Sequence, residues 1–82
     1  MDHPKYINLG CGHDKLVGYL NVDADPSHDP DLLGDVASLS DLPDQYFEYA
    51  LAQDVLEHIP RLRVNTALKE WNRLLVKKGV LQ

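Results

Sequence analysis

Short apolar segments alternate with polar, glycine-containing and proline-containing stretches along this chain. Residues 5–9, 19–24 and 46–52 have the β-branched and aromatic composition that is typical of strands. A very short third strand is expected near residues 34–36, because the surrounding segment 32–39 is apolar but brief. Residues 80–82 begin one more apolar segment, so the pattern predicts four strands and the start of a fifth.

One segment has helical periodicity. Its apolar positions recur at intervals of three and four residues, and they are Val64, Ala67, Leu68, Trp71, Leu74 and Leu75. Charged and polar side chains occupy the opposite face, which predicts an amphipathic helix packed on a core. Lys77 and Lys78 follow the last turn and Gly79 comes next, so we predict that Gly79 is the C-cap.

The order of these elements predicts an α/β domain with a mostly parallel sheet. Parallel strands need connections of a dozen or more residues, which the stretch from Tyr6 to Asp23 barely provides, so the segment between the first two strands is too short for a full helix. We expect one domain over residues 1–82. We also expect it to be incomplete, because the last apolar segment stops soon after it begins.

Composition narrows the function. The chain has 82 residues and a net charge of −5, and this acidity argues against a nucleic-acid partner held through its phosphates. The single cysteine cannot form an internal disulfide, which predicts a cytoplasmic protein. No apolar run has the ~20 residues of a membrane-spanning helix, and no secretory signal is evident, so no membrane association is expected.

The first strand ends in the sequence Gly10-Cys11-Gly12. Glycines at this place let the backbone turn sharply and approach a ligand closely, as in nucleotide-binding folds. An ordinary turn would also explain them, and Cys11 is then a small residue between two glycines. The histidines and Cys11 have no spacing typical of a zinc site, so no metal is predicted.

Acidic residues follow the next two predicted strands. Asp23 ends the second strand, where a carboxylate can accept hydrogen bonds from ribose hydroxyls. Asp35 follows Gly34 and could accept a hydrogen bond from an adenine amino group. Either aspartate could instead be a solvated residue or cap a turn. Their order after the glycine turn favours the ligand-binding interpretation.

Polar residues also follow the fourth strand, in the sequence "LAQDVLEHIP". Gln53 and Asp54 stand at its carboxyl end, where open α/β sheets bind ligands. His58 could be a general base, since its unperturbed pKa (~6.5) is near neutrality. The alternative is a structural hydrogen bond at a turn, and the role of Glu57 stays open.

Together, "INLGCG", "LNVDADP", "GDV", "FEYALAQDVLEHI" and "ALKEWNRLLVKKG" resemble the class I S-adenosylmethionine-dependent methyltransferases. The resemblance implies a partial Rossmann-like, three-layer fold with strand order 3-2-1-4 and the start of strand 5. Its first helix would be reduced. In the family the sheet continues beyond strand 5.

The resemblance also implies roles for individual residues. The glycine turn matches the part that packs against the amino-acid end of the cofactor, Asp23 matches the ribose ligand and Asp35 lies beside the adenine. Asn8 and His13 stand where the family often has an acidic residue and a third glycine. The candidate cofactor-binding residues are Asn8, Gly10, Cys11, Gly12, Asp23, Asp35, Gln53 and Asp54, and the candidate catalytic residue is His58.

Three functions therefore remain. The first is methyl transfer from S-adenosylmethionine to a small-molecule, sugar-related or glycan-type acceptor. The second is a non-catalytic, truncated domain that self-associates through an exposed edge at strand four. The third is a nicotinamide-binding domain, which is weaker because Asp23 follows Gly12 by 11 residues and not by about 20.

Overall fold

The structure, a computed structural model, describes residues 3–53 and 55–82, in which one parallel sheet is joined to a single α-helix. The strands are β1 (Tyr6–Leu9), β2 (Tyr19–Asp23), β3 (Leu32–Leu33), β4 (Phe47–Leu51) and β5 (Leu75–Leu81), and the helix is α1 (Val64–Leu74). The sheet order is β3-β2-β1-β4-β5, which confirms the predicted order. Within the described ranges, no helix is long and apolar enough to cross a bilayer.

The core lies between the sheet and α1. Its largest fully buried side chains are Trp71, Phe47, Ile7, Leu9, Leu74 and Val22. Ile7 and Leu9 alternate with Tyr6 and Asn8 along β1, so they project to the side of the sheet that forms this core. Trp71 Nε1 donates a hydrogen bond to the carbonyl oxygen of Val36 at 2.9 Å. The predicted helix is confirmed, and Ala67, Trp71 and Leu74 of its apolar stripe are buried. Leu68 is 37% exposed, and Leu75 already belongs to β5.

An irregular connection, residues 10–18, joins β1 to β2 in place of a helix. Asn8 and Asn21 are paired in register, and both are buried below it. Asn21 Oδ1 accepts hydrogen bonds from Asn8 Nδ2 (3.0 Å) and from the Leu16 N–H (2.9 Å). Asn21 Nδ2 donates to the Leu16 carbonyl (3.0 Å) and to Asp31 Oδ2 (2.8 Å). Two buried amides thus hold the connection in place, and the expected reduction of the first helix is confirmed.

The third strand lies earlier than predicted, at Leu32–Leu33. The Gly34 N–H still donates to the Asp23 carbonyl at 2.9 Å, so pairing with β2 continues to that residue. Asp35 then turns the chain, because its Oδ1 accepts the Ala37 N–H and its carbonyl accepts the Ser38 N–H. This local turn ends the pairing with β2 at Gly34, so residues 35 and 36 do not continue the strand.

The end of α1 also differs from the prediction. Leu75 is already extended (φ −84°, ψ 143°) and pairs with Phe47, so Gly79 is not the C-cap but lies inside β5. A Cβ at Gly79 would lie 3.0 Å from the carbonyl oxygen of Val76, a tight contact that the neighbouring backbone would have to relieve. Because β5 covers β4, the sheet edge on this side is β5, not β4 as predicted.

Candidate cofactor-binding cleft

A cleft of about 650 Å³ lies at the carboxyl ends of β1, β2 and β4. Its volume is in the range of small-molecule and cofactor sites. Eight of the nine candidate residues line it: Asn8, Gly10, Cys11, Gly12, Asp23, Asp35, Gln53 and His58. The ninth, Asp54, lies outside the described residues. Residues from four separate segments therefore converge on one concave surface.

The glycine turn forms the floor of the cleft. Gly10 and Gly12 have φ of 68° and 54°, a left-handed conformation that residues with a Cβ rarely adopt. A Cβ at Gly10 would lie 2.5 Å from Cγ2 of Val55, whereas a Cβ at Gly12 would meet no atom within 4 Å. Gly10 is therefore required by packing. Gly12 keeps open the space in front of the turn.

Asp23 ties the turn to the end of β2. Its Oδ2 accepts the Gly12 N–H at 2.7 Å, and its Oδ1 accepts the Asp25 N–H at 2.9 Å. Burial raises the pKa of this carboxyl, but these two N–H groups and the His28 ring outweigh burial and hold the pKa below its ordinary value. Asp23 is thus an anion with a fixed orientation. Oδ2 retains a lone pair for another donor, whereas Oδ1 is also faced by His28 Nδ1 at 3.3 Å.

Cys11 is buried between the two glycines, and its N–H donates to the carbonyl of Val22 at 2.9 Å. Burial and then the Asp23 carboxylate raise the pKa of its thiol. A raised pKa disfavours the thiolate, which is the nucleophilic form. Cys11 therefore contributes its backbone and its small volume to the turn, not a reactive sulfur.

Asn8 presents an acceptor to the cleft. Its Nδ2 donates to the carbonyl of Asp14 at 3.0 Å and to Asn21 Oδ1 at 3.0 Å. A backbone carbonyl only accepts, so this contact fixes which amide atom is the nitrogen. Both side-chain bonds of Asn8 to described residues use Nδ2, which leaves Oδ1 as an acceptor for a ligand.

Asp35 forms the far wall with a residue that the sequence interpretation missed. Arg63, in the short 3₁₀ turn Arg61–Arg63 before α1, lines the cleft and lies 2.8 Å from Asp35 Oδ2. The Ala37 N–H first and then the Arg63 guanidinium lower the pKa of Asp35, although burial opposes them. No sequence spacing marks this pair, because 28 residues separate its members.

Gln53 and His58 also line the cleft, and both are exposed. His58 lies in the 3₁₀ turn Leu56–His58, where its backbone N–H donates to the carbonyl of Val55 at 3.0 Å. Its imidazole is therefore accessible from solvent and from the cleft. This is a position from which a base could reach a bound acceptor.

Two histidines were also not singled out as site residues. His28 Nδ1 lies 3.3 Å from Asp23 Oδ1, and its Nε2 lies 3.7 Å from Asp25 Oδ2. The His13 ring meets the His28 ring edge to face, with centroids 4.4 Å apart. Both histidines line the cleft near Asp23. Only the proximity of His28 to Asp23 and Asp25 in the sequence could have indicated this contact.

The comparison with known families agrees with this geometry. A family model described as "Methyltransferase domain" matches residues 7–82, which is nearly the whole chain. The chain therefore belongs to the class I S-adenosylmethionine-dependent methyltransferase domains. No curated protein matches the sequence significantly. Members of this family generally use S-adenosylmethionine.

Proposed function

We propose that this domain binds S-adenosylmethionine in the cleft at the carboxyl ends of β1, β2 and β4. The convergence of the Gly10–Gly12 turn, the Asp23 carboxylate and the Asn8 amide oxygen carries the proposal. Open space at Gly12 would admit the amino-acid end of the cofactor. Asp23 would accept the ribose hydroxyls, and Asp35 would lie beside the adenine.

The reaction proposed is methyl transfer. When bound, the cofactor supplies both the methyl group and its leaving group, so the protein mainly orients the reactants and excludes water. Asn8 would accept a hydrogen bond from the cofactor's ammonium, in place of the acidic residue that the family often has there. His58 would take a proton from the acceptor if the acceptor is protonated at working pH.

A small-molecule acceptor of the sugar or glycan class is proposed on the resemblance alone. Gln53 and His58 line the cleft and are exposed to solvent, so an acceptor would enter beside them. Transfer of a radioactive methyl group to a panel of sugar hydroxyls, compared with amine and carboxylate acceptors, tests the class.

Calorimetric titration with S-adenosylhomocysteine tests cofactor binding directly. We expect saturable binding by the 82-residue chain and, in Asp23→Asn, at least about tenfold weaker binding, because a charge-assisted acceptor is lost. Asp41→Asn, in an exposed loop away from the cleft, is the matched charge control and should bind as the parent chain does. Failure of the parent chain to bind either S-adenosylhomocysteine or S-adenosylmethionine, or binding of NAD in their place, would refute the proposal.

Self-association through the sheet edge is the alternative function. One observation favours it: Val80 and Leu81 of the edge strand β5 are 52% and 42% exposed. Lys77 and Lys78 in the same strand oppose it, because edge lysines discourage pairing. Sedimentation over a hundredfold range of protein concentration decides whether the chain self-associates. A molecular mass that stays at the monomer value excludes this alternative.

A further inference from the structure

Three tyrosines form a cluster on the face of the sheet opposite the core. Tyr6 pairs in register with Tyr19 of β2 and with Tyr49 of β4, so the three residues stand side by side on adjacent strands. Their ring centroids are 5.4 Å (Tyr6–Tyr19), 5.8 Å (Tyr6–Tyr49) and 6.2 Å (Tyr19–Tyr49) apart. Tyr6 and Tyr19 are the first residues of β1 and β2, so the cluster lies at the end of the sheet away from the cleft.

The cluster is accessible because the β1–β2 connection covers only part of this face. Asn8 and Asn21, two residues further along their strands, are 3% and 5% exposed beneath that connection. Tyr6, two residues before Asn8 on the same face of β1, is 45% exposed. A shallow depression of about 420 Å³ remains over the tyrosines.

A carboxylate residue completes the depression. Glu48 lines it together with the neighbouring Tyr49, and the pairing of β4 with β5 is irregular between Phe47 and Tyr49. Within the described part of the chain, the Glu48 side chain has neither an ion pair nor a hydrogen bond. Lys5 Nζ is engaged elsewhere, 3.7 Å from the centroid of the Tyr46 ring.

The three rings are steeply inclined to one another and do not stack face to face. The interplanar angles are 64°, 64° and 77°, and Tyr49 is held by a 2.8 Å hydrogen bond from its hydroxyl to Gln82 Oε1. A point up to about 5 Å above the centre of the triangle formed by the three centroids lies within about 6 Å of every ring, the range over which an aromatic face attracts a cation.

We propose that this tyrosine–glutamate depression, formed by Tyr6, Tyr19, Tyr49 and Glu48, binds a small organic ammonium ion that carries methyl groups. The negative face of an aromatic ring attracts a cation, three such rings line the depression, and the Glu48 carboxylate adds a formal charge. Methyl groups disperse the charge and weaken hydration, so such a cation loses little when it leaves water. A small inorganic cation is more strongly hydrated and, among the described residues that line the depression, meets only the carboxylate of Glu48.

The carboxylate also argues against a purely apolar partner. Covering the depression with apolar side chains would bury Glu48 without a counter-charge, which is costly. An anionic ligand would be repelled by Glu48 and by the ring faces. A cationic ligand is the class that satisfies both features together.

Choline and its neutral carbon isostere, 3,3-dimethyl-1-butanol, are the probes for a test by NMR titration of the full 82-residue chain. We expect saturable shifts at the amides of Tyr6, Tyr19 and Glu48 with choline, and about tenfold weaker binding of the neutral isostere. Tyr6→Leu should weaken choline binding about fivefold, whereas Tyr6→Phe should retain it, because the ring face is kept. Glu48→Gln should also weaken it, and the charge control Asp41→Asn should not.

The titration has two outcomes that overturn the proposal. The first is equal binding of choline and its neutral isostere, which would make the depression an apolar contact surface. The second is shifts at the same amides on dilution alone, which would show that a second copy of the chain covers the tyrosines. Dispersed spectra of Tyr6→Leu establish that it is folded, and Tyr19→Leu replaces it if it is not.

Discussion

At the residue scale, position 10 of the glycine turn excludes a side chain both by its backbone conformation and by its packing. Gly10 has a φ of 68°, and the position of its absent Cβ lies 2.5 Å from Cγ2 of Val55. Gly18 has a φ of 84°, but nothing lies within 4 Å of its Cβ position. The two glycines share the backbone requirement, and only Gly10 also has the packing requirement.

Gly10→Ala is therefore expected to destabilise the fold by about 2–4 kcal/mol, from backbone strain and steric overlap together. Gly18→Ala, which carries the backbone strain alone, should cost about 1 kcal/mol. Urea denaturation of both variants measures the difference. Gly10→Ala should cost less stability when it is introduced into the Val55→Ala variant than into the unchanged chain, because the Cγ2 atom that its Cβ would overlap is then absent. Equal costs for the two glycine variants would disprove the overlap.

At the scale of elements, α1 both covers the core and anchors the segment between β3 and β4. Arg73 donates to the carbonyls of Leu39 and Leu42, each at 2.9 Å, and lies 2.8 Å from Glu70 Oε1. Glu70 Oε2 in turn accepts the Leu39 N–H at 2.6 Å. One face of a single helix thereby holds a long irregular segment whose start, at Asp35, forms the wall of the cleft.

Arg73→Lys tests this anchoring role. A lysine keeps the charge but cannot bond two carbonyls and a carboxylate from one planar group, so we expect a loss of about 1–2 kcal/mol of stability. Arg61→Lys is the matched control, because Arg61 is exposed and should tolerate the change. Chemical denaturation measures the stability of both variants. Equal denaturation midpoints for Arg73→Lys and Arg61→Lys would show that the hydrogen bonds of Arg73 contribute little. The rate of hydrogen exchange at the backbone amides of Leu39 and Leu42 should also rise in Arg73→Lys and not in Arg61→Lys.

At the scale of the whole molecule, carboxylates bonded to backbone N–H groups or to basic side chains stabilise its loops. The carboxyls whose pKa lies below the ordinary value are Asp23, Asp25, Asp31, Asp35 and Glu70. For Asp31, the backbone N–H and the side-chain amide of Asn21 lower the pKa. These groups bind protons less readily when folded than when unfolded, so acid favours the unfolded chain.

Stability should therefore hold from pH 7 to about pH 5 and then fall as the pH drops through the unfolded carboxyl pKa values of about 3.9–4.3 and below. Thermal unfolding between pH 7 and pH 3 measures this. Asp31→Asn keeps an acceptor for Asn21 but cannot titrate, so its loss of stability in acid should be smaller. Asp41→Asn should follow the parent chain, and an identical acid response of all three proteins would contradict the assignment.

Local patterns predicted most of the fold. The stripe of α1, the strand segments and the glycine turn were readable because each depends on residues close in sequence. Gly79 was misinterpreted because a glycine after a helix usually ends it, whereas here the chain becomes extended at Leu75. The resemblance to the methyltransferases supplied the order of the sheet, which periodicity alone does not determine.

By itself, then, the sequence determined the helix, most of the strand segments, the class of fold and eight of the residues that line the cleft. Only the tertiary structure decided that Asp23 holds Gly12, that Arg63 meets Asp35 and that Tyr6, Tyr19 and Tyr49 share one face. The physical reason is the same in each case. Such contacts join segments that are distant along the chain, and they depend on strand register and on which face of the sheet remains uncovered.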